Sequence, residues 1–303
     1  MPADRPNVVV IFTDDQGYGD VGCFGAPHIR TPNLDAMASR GARYTSFYVG
    51  SPVCTPSRAA LMTGCYPARV GLEEGVLFPG DDEGLDPEEE TIADLLSDAG
   101  YATGCFGKWH LGDHEPFLPT DHGFDSYLGL PYSNDMRPGP EADYPPLPLF
   151  ESAEVIEESP DQRLLTRRYT DAATDFIADH AGEEPFFCYL PHTMPHVPLH
   201  ASEEFAGESR RGLYGDVIEE IDWSVGQITE TLREEGVAED TLVLFTSDNG
   251  PWLVKEERGG DAGPLRGGKA TTWEGGLRVP CIAEWPGEIP AGTVCDELVT
   301  AMD

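Results

Sequence analysis

Two pairs of hard oxygen donors stand at the ends of apolar runs in this 303-residue chain. Asp14-Asp15 follow NVVVIFT (7–13) directly, and Asp248-Asn249 follow TLVLFTS (241–247) directly. Three carboxylates and an amide oxygen suit Ca²⁺ or Mg²⁺ rather than a soft metal. One Asp after a strand is ordinary turn chemistry. Two such pairs are a more specific signal, because ligands of open α/β sheets bind beyond the carboxyl ends of the strands.

Cys54 sits in SPVCTPSRAALMTG (51–64), with Arg58 four places on, so one helical turn puts the two on a shared face. Residue types alone leave Cys54 open as a buried thiol, a thiolate nucleophile or the precursor of another group. FGKWHLG (106–112) places Lys108 and His110 two apart, on one side of an extended segment. PHTMPHVPL (191–199) offers His192 and His196, and LRGGKATTWEGG (265–276) offers Lys269 in a Gly-rich loop. The chain has only three lysines, Lys108, Lys255 and Lys269. Two of them lie in Gly-flanked loops near expected strand ends. Clustered cations with a divalent metal suit a dianionic ester such as sulfate or phosphate. Taken singly, each Lys or His reads as a solvated surface group or a satisfied buried histidine; the signal lies in their co-occurrence.

These residues need a scaffold, and the apolar patterning supplies one. NVVVIFT and TLVLFTS are β-branched runs of the kind buried on both faces of a parallel sheet. YATGCFG (101–107), PFFCYL (185–190) and VPCIAEW (279–285) read as further strands. TPNLDAMASRG (31–41) has a Thr cap, a Pro in the first turn and a Gly stop, the punctuation of a helix. Helices are also expected over 57–64, 91–100, 167–181 and 213–235. Strands alternating with helices imply an α/β architecture around a large, mainly parallel central sheet. Residues 73–90 carry nine acids and no base and read as a solvated acidic loop. Residues 131–148 are Pro-rich and polar: a plain surface loop or one shaping access to a site. No internal repeat and no linker divides the chain.

Nineteen basic and 55 acidic residues give a net charge of −36, which argues against nucleic acid or an anionic membrane as a partner. An acid-rich, lysine-poor surface fits a salt-adapted protein, whose self-repulsion is screened. Seven cysteines without CxxC spacing indicate neither a disulfide framework nor a zinc site. The N-terminus shows no secretory leader pattern and no run of membrane-span length, so the expectation is a cytoplasmic protein. Oligomeric state leaves no signal.

DDQGYGD, CTPSRAALMTG, GKWHLG, HVPL, SDNG and GKATTWEGG occur in the order and style of the type I, formylglycine-dependent sulfatases, and the chain most resembles arylsulfatase A-like enzymes. The likeness runs from about residue 6 to 303. It implies an alkaline-phosphatase-like fold and hydrolysis of sulfate esters. It also implies that a formylglycine-generating maturation enzyme converts Cys54 to Cα-formylglycine, whose hydrate attacks sulfur and then expels sulfate. By matching motifs, Asp14, Asp15, Asp248 and Asn249 would hold Ca²⁺ beside residue 54. Arg58 would hold the hydrate, Lys108 and Lys269 would bind sulfate, and His196 with Lys269 would protonate the leaving oxygen. His110 would deprotonate the second hydroxyl, and Ser133 of LPYSND would contact sulfate. Members of the family are usually longer, so the expectation is one catalytic domain over 1–303 with the smaller C-terminal domain absent or truncated. A phosphonate or phosphodiester hydrolase of the same fold, and an inactive Ca²⁺-binding fragment, are the alternatives.

Overall fold

The computed structural model describes residues 5–140 and 142–303. The run Asn7–Thr13 forms β1, and its alternation divides the core in two. Val9 and Ile11 enter one apolar cluster, Val10 and Phe12 the other. Both faces of β1 are therefore covered, as an uninterrupted apolar run requires. The remaining strands are β2 (Ala42–Tyr44), β3 (Phe47–Tyr48), β4 (Ala102–Lys108), β5 (Ser126–Leu130), β6 (Pro148–Glu151) and β7 (Glu154–Glu158), then β8 (Phe186–Pro191), β9 (Thr241–Ser247), β10 (Cys281–Glu284), β11 (Thr293–Cys295) and β12 (Val299–Thr300).

Ten of them form one sheet in the order β11-β2-β10-β9-β1-β8-β4-β5-β6-β7, while β3 and β12 pair separately. The five central strands, β9-β1-β8-β4-β5, are all parallel. The flanks are not: β10 runs antiparallel to both β9 and β2, and β6 and β7 close the other edge antiparallel. The sheet is thus mixed, with a parallel centre.

The helices are α1 (Pro32–Arg40), α2 (Cys54–Thr63), α3 (Ile92–Asp98), α4 (Leu165–His180), α5 (Leu213–Glu234) and α6 (Glu274–Leu277). One face of the sheet carries α1, α4 and α5; the other carries α2 and α3. α3 starts in a reciprocal capping box, Thr91 with Asp94. α1 departs from expectation. The Thr31 hydroxyl does not cap it but accepts from the Gly22 amide at 2.8 Å. Its free amides at Asn33 and Leu34 donate instead to the Asp222 carboxylate of α5, at 3.1 and 2.8 Å. Asp216, Glu219 and Glu220 of α5 are also buried. Each accepts a backbone N–H, from Gly207 and Ser209, Arg30, and Ser202 respectively. Part of the acid content is therefore structural.

Candidate active site

Adjacent parallel strands end at the same edge, and this is what assembles the site. β1 and β9 pair in register to Thr13 opposite Ser247, so Asp14-Asp15 and Asp248-Asn249 emerge side by side. The Asp248 amide donates to the Thr13 carbonyl at 3.0 Å, extending the ladder by one step. On the other side of β1, β8 ends at Pro191 and leads into His192–His196; beyond it, β4 ends at Lys108. The Asp14 amide donates to the Met194 carbonyl, tying the two loops together.

Cys54 lies inside the first turn of α2 rather than ahead of it, and Arg58 follows on the same face. Arg58 is completely buried. Its Nε and Nη2 donate to Asp248 Oδ2 at 3.1 and 2.8 Å, and its Nη1 to the Lys108 carbonyl at 2.8 Å. Lys108 Nζ donates to Asp14 Oδ2 at 2.6 Å and reaches Ser133 Oγ at 3.3 Å. Lys269 Nζ pairs with Asp15 Oδ1 at 2.6 Å and lies 3.4 Å from Cys54 Sγ. Three cations therefore balance Asp14, Asp15 and Asp248 in a buried cluster, as buried charge requires.

The electrostatics select among the readings of Cys54. Burial, then the neighbouring Asp14 carboxylate, pushes its thiol up, and Lys108 and Lys269 offset this only in part. At neutral pH Cys54 is a thiol, not a thiolate. Burial raises Asp14 but is outweighed by Lys108, His196, Arg58 and Lys269, which hold it well below the carboxylate range. Asp248 is pushed up to about 7 by burial and by Asp14, against the pull of Arg58 and Lys108. Burial disfavours the Lys269 ammonium, yet Asp15 and the other anionic neighbours hold its pKa above the usual range.

The donor set fits a hard divalent cation. Asp14, Asp15, Cys54 and Asp248 each offer a ligand atom within 4.8 Å of the others. Asn249 Nδ2 donates to Asp15 Oδ1 and to the Gly250 carbonyl, which turns its oxygen the other way. Asn249 Oδ1 and Asp15 Oδ2 are then buried acceptors with no hydrogen-bond partner. These two unpartnered oxygens are acceptor positions that a hard cation would fill.

The histidines differ from one another. His196 Nδ1 is 2.6 Å from the Val197 carbonyl, which can only accept, so Nδ1 carries the proton. Its Nε2 lies 3.6 Å from Asp15 Oδ2. Burial, then Lys269, lowers its pKa, against Asp15 and Asp14, which raise it. Ser133 Oγ lies 3.4 Å from His196 Nδ1 and so joins this group, which places the start of the 131–148 loop in the wall of the site. His110 does not extend the strand: β4 stops at Lys108, and His110 has a left-handed φ of 63°. The alternation of an extended segment therefore does not relate His110 to Lys108. His110 Nε2 bonds the Leu77 carbonyl at 3.0 Å, so the expected acidic loop also anchors this ring; its Nδ1 is buried without a partner. His192 turns away to Ser224 Oγ of α5.

One aromatic residue of the site escaped the sequence reading. Trp252 packs tilted against the His196 ring, 5.4 Å between centres, with the Lys269 ammonium 4.7 Å from its ring centre. Its position just after Asp248-Asn249 was the available signal.

A family model described as Sulfatase matches residues 6–303. The chain is 44% identical over 319 residues to human arylsulfatase A and 41% identical over 321 residues to human N-acetylgalactosamine-6-sulfatase. Those matches cover 99% and 98% of this chain but only 63% and 60% of the curated relatives, so the chain spans less than two thirds of their length. Among solved structures, it superposes on the PsFucS1 sulfatase from Pseudoalteromonas sp. with a TM-score of 0.89 at 35% identity, covering 98% of this chain and 66% of that one.

Proposed function

Because this chain belongs to the sulfatase family, which implies a metal ion and a formylglycine, we propose that it hydrolyses sulfate monoesters, with Cys54 as the formylglycine precursor and Ca²⁺ as the metal. The observation that carries this is the position of Cys54: buried in the first turn of α2, 3.4 Å from both Asp14 Oδ1 and Lys269 Nζ, at the centre of the charge cluster. Its thiol, with ionisation suppressed, is a poor nucleophile. The hydrated aldehyde that replaces it supplies a hydroxyl as nucleophile and allows sulfate to leave afterwards.

Asp14, Asp15, Asp248 and Asn249 would hold Ca²⁺, with Mg²⁺ the alternative, and the ion would supply Lewis-acid charge next to residue 54. Lys108 and Lys269 bind sulfate oxygens in a site where water is excluded and their charge acts at low dielectric. Ser133 adds a hydroxyl donor from the same side as Lys108. Lys269 retains its proton and gives it to the leaving oxygen. His196, whose Nε2 faces the same side as Lys269, would share with it the protonation of that oxygen. His110, kept neutral by burial and by Lys108, has its Nδ1 lone pair free to take the proton of the second hydroxyl. Arg58 holds residue 54 and Asp248 in register. A maturation enzyme would have to reach CTPSR before α2 packs, since Cys54 is 1% exposed.

The test is peptide mass spectrometry across Cys54 after co-expression with a maturation enzyme, followed by turnover of 4-nitrophenyl sulfate and a phenyl phosphonate monoester. The expected result is an aldehyde at residue 54 and preferential sulfate hydrolysis. Preferential phosphonate hydrolysis would move the chain to the alternative chemistry; a converted protein without turnover would leave the inactive Ca²⁺-binding fragment.

A further inference from the structure

Lysine is scarce in this chain, and the third one also belongs to the site. Lys255 lies in the turn Leu253–Arg258, and its ammonium sits 4.1 Å from the centre of the Trp252 ring. Lys269 Nζ is 4.7 Å from the same ring centre. The two ammonium groups are therefore separated by no more than the sum of those distances. Among the described residues, no carboxylate lies within ion-pair distance of Lys255, although Glu256 and Glu257 follow it directly. In a chain with a net charge of −36, an unpaired lysine beside a catalytic lysine needs a reason.

The turn that carries it is held in place. The Lys255 amide donates to the Trp252 carbonyl and the Lys269 amide to the Pro251 carbonyl, both at 2.9 Å. Arg211 Nη1 donates to the Glu257 carbonyl at 2.8 Å. A Cβ on Gly259 would stand 2.1 Å from the Trp252 carbonyl oxygen, so only glycine lets the turn close there. Site access points the same way. Cys54, Arg58, Lys108 and Asp248 are sealed, whereas the side chains of Lys269 and His196 retain 8% and 5% exposure. Both touch Trp252, so this ring stands on the side of the site that is open to solvent.

We propose that Lys255, seated on Trp252, is a second anion-recognition position, and that the preferred ester carries another anionic substituent, a sulfate or a carboxylate, on its leaving group. This rests on the sulfatase reading for the first sulfate. An ammonium is a compact point charge that suits either anion. Its partial exposure limits its contribution to about fivefold in affinity.

Calorimetric titration of the Ca²⁺-loaded protein with Cys54 left as the thiol reads binding without turnover. The probes are phenyl sulfate, 4-carboxyphenyl sulfate and hydroquinone bis-sulfate. At least one dianionic probe is expected to bind about fivefold tighter than phenyl sulfate, and the one that gains identifies the anion. Lys255→Ala is expected to bring that ratio close to one, Lys255→Arg to keep it and Lys255→Glu to invert it. A merely structural lysine would shift all three probes alike. Equal binding of all probes by the parent protein, or an unchanged ratio in Lys255→Ala, overturns the assignment. The sulfatase reading fails separately: a converted protein that hydrolyses no sulfate ester but keeps the ratio refutes that reading alone.

Discussion

Arg58→Ala is expected to destabilise the metal-free protein by about 3–5 kcal/mol in urea unfolding, the cost of leaving a buried carboxylate unpaired. Arg58, Asp14 and Asp248 are all fully buried. The guanidinium supplies two of the hydrogen bonds to Asp248, neutralises Asp14 at 3.7 Å, satisfies the Lys108 carbonyl and lies over the Phe12 ring. After truncation Asp248 keeps only the bond from the Asp15 amide at 3.1 Å. Saturating Ca²⁺ should shrink the loss, because the ion would compensate the same carboxylates. Arg58→Lys keeps the charge but not the fork, so it should fall between the parent and Arg58→Ala even where the alanine variant does not fold. A midpoint within about 0.5 kcal/mol of the parent for Arg58→Ala would show that the charge cluster does not hold this corner of the fold.

Removing and restoring the cation should have the second large effect. Ca²⁺ added to chelator-treated protein at a hundred times its Kd should stabilise by about 2.7 kcal/mol, read as a rise in Tm. Its affinity should fall about tenfold for each pH unit below 7, because a proton on Asp248 must first leave. The sign follows from the direction of the shift. Asp248 is raised from 3.8 to about 7, so in metal-free protein its contribution is full below 3.8 and is lost as pH rises through about 7. Asp14, lowered by its cations, contributes above 3.8 and loses that contribution at still lower pH. Titrations at pH 6 and pH 8 in buffers of different ionisation enthalpy would count the proton. Equal affinities at the two values, with no proton released, would remove Asp248 from the ligand set.

The central strands were legible because they are buried on both faces. β1 and β9 occupy the runs NVVVIFT and TLVLFTS to the residue, and β4 and β8 differ from expectation only at their ends. The edges were not legible. β2 and β11 have three residues each, too few for a period, and β7 reads EVIEE, largely exposed and without apolar alternation. Donors at strand ends could be read because register alone brings Asp14-Asp15 beside Asp248-Asn249. Whatever depends on loop closure could not. His110 turns off its strand in a left-handed conformation, and Trp252 and Lys255 reach the site through a turn closed at Gly259. The Thr31 cap failed for a tertiary reason: Asp222, from a distant helix, satisfies the amides first.

The site sets three cations against three carboxylates, so the excess of 36 negative charges belongs to the rest of the molecule. An anionic ester therefore approaches a particle of its own sign, and meets attraction only in the last few ångströms, at Lys255 and Lys269. Screening shortens that repulsion, from a reach of about 10 Å in 0.1 M salt to about 3 Å in 1 M. Most anion-binding enzymes lose encounter rate as salt is added. On the sulfatase reading proposed above, kcat/KM of this chain should climb first, which makes dilute buffer the slowest medium in which to look for turnover.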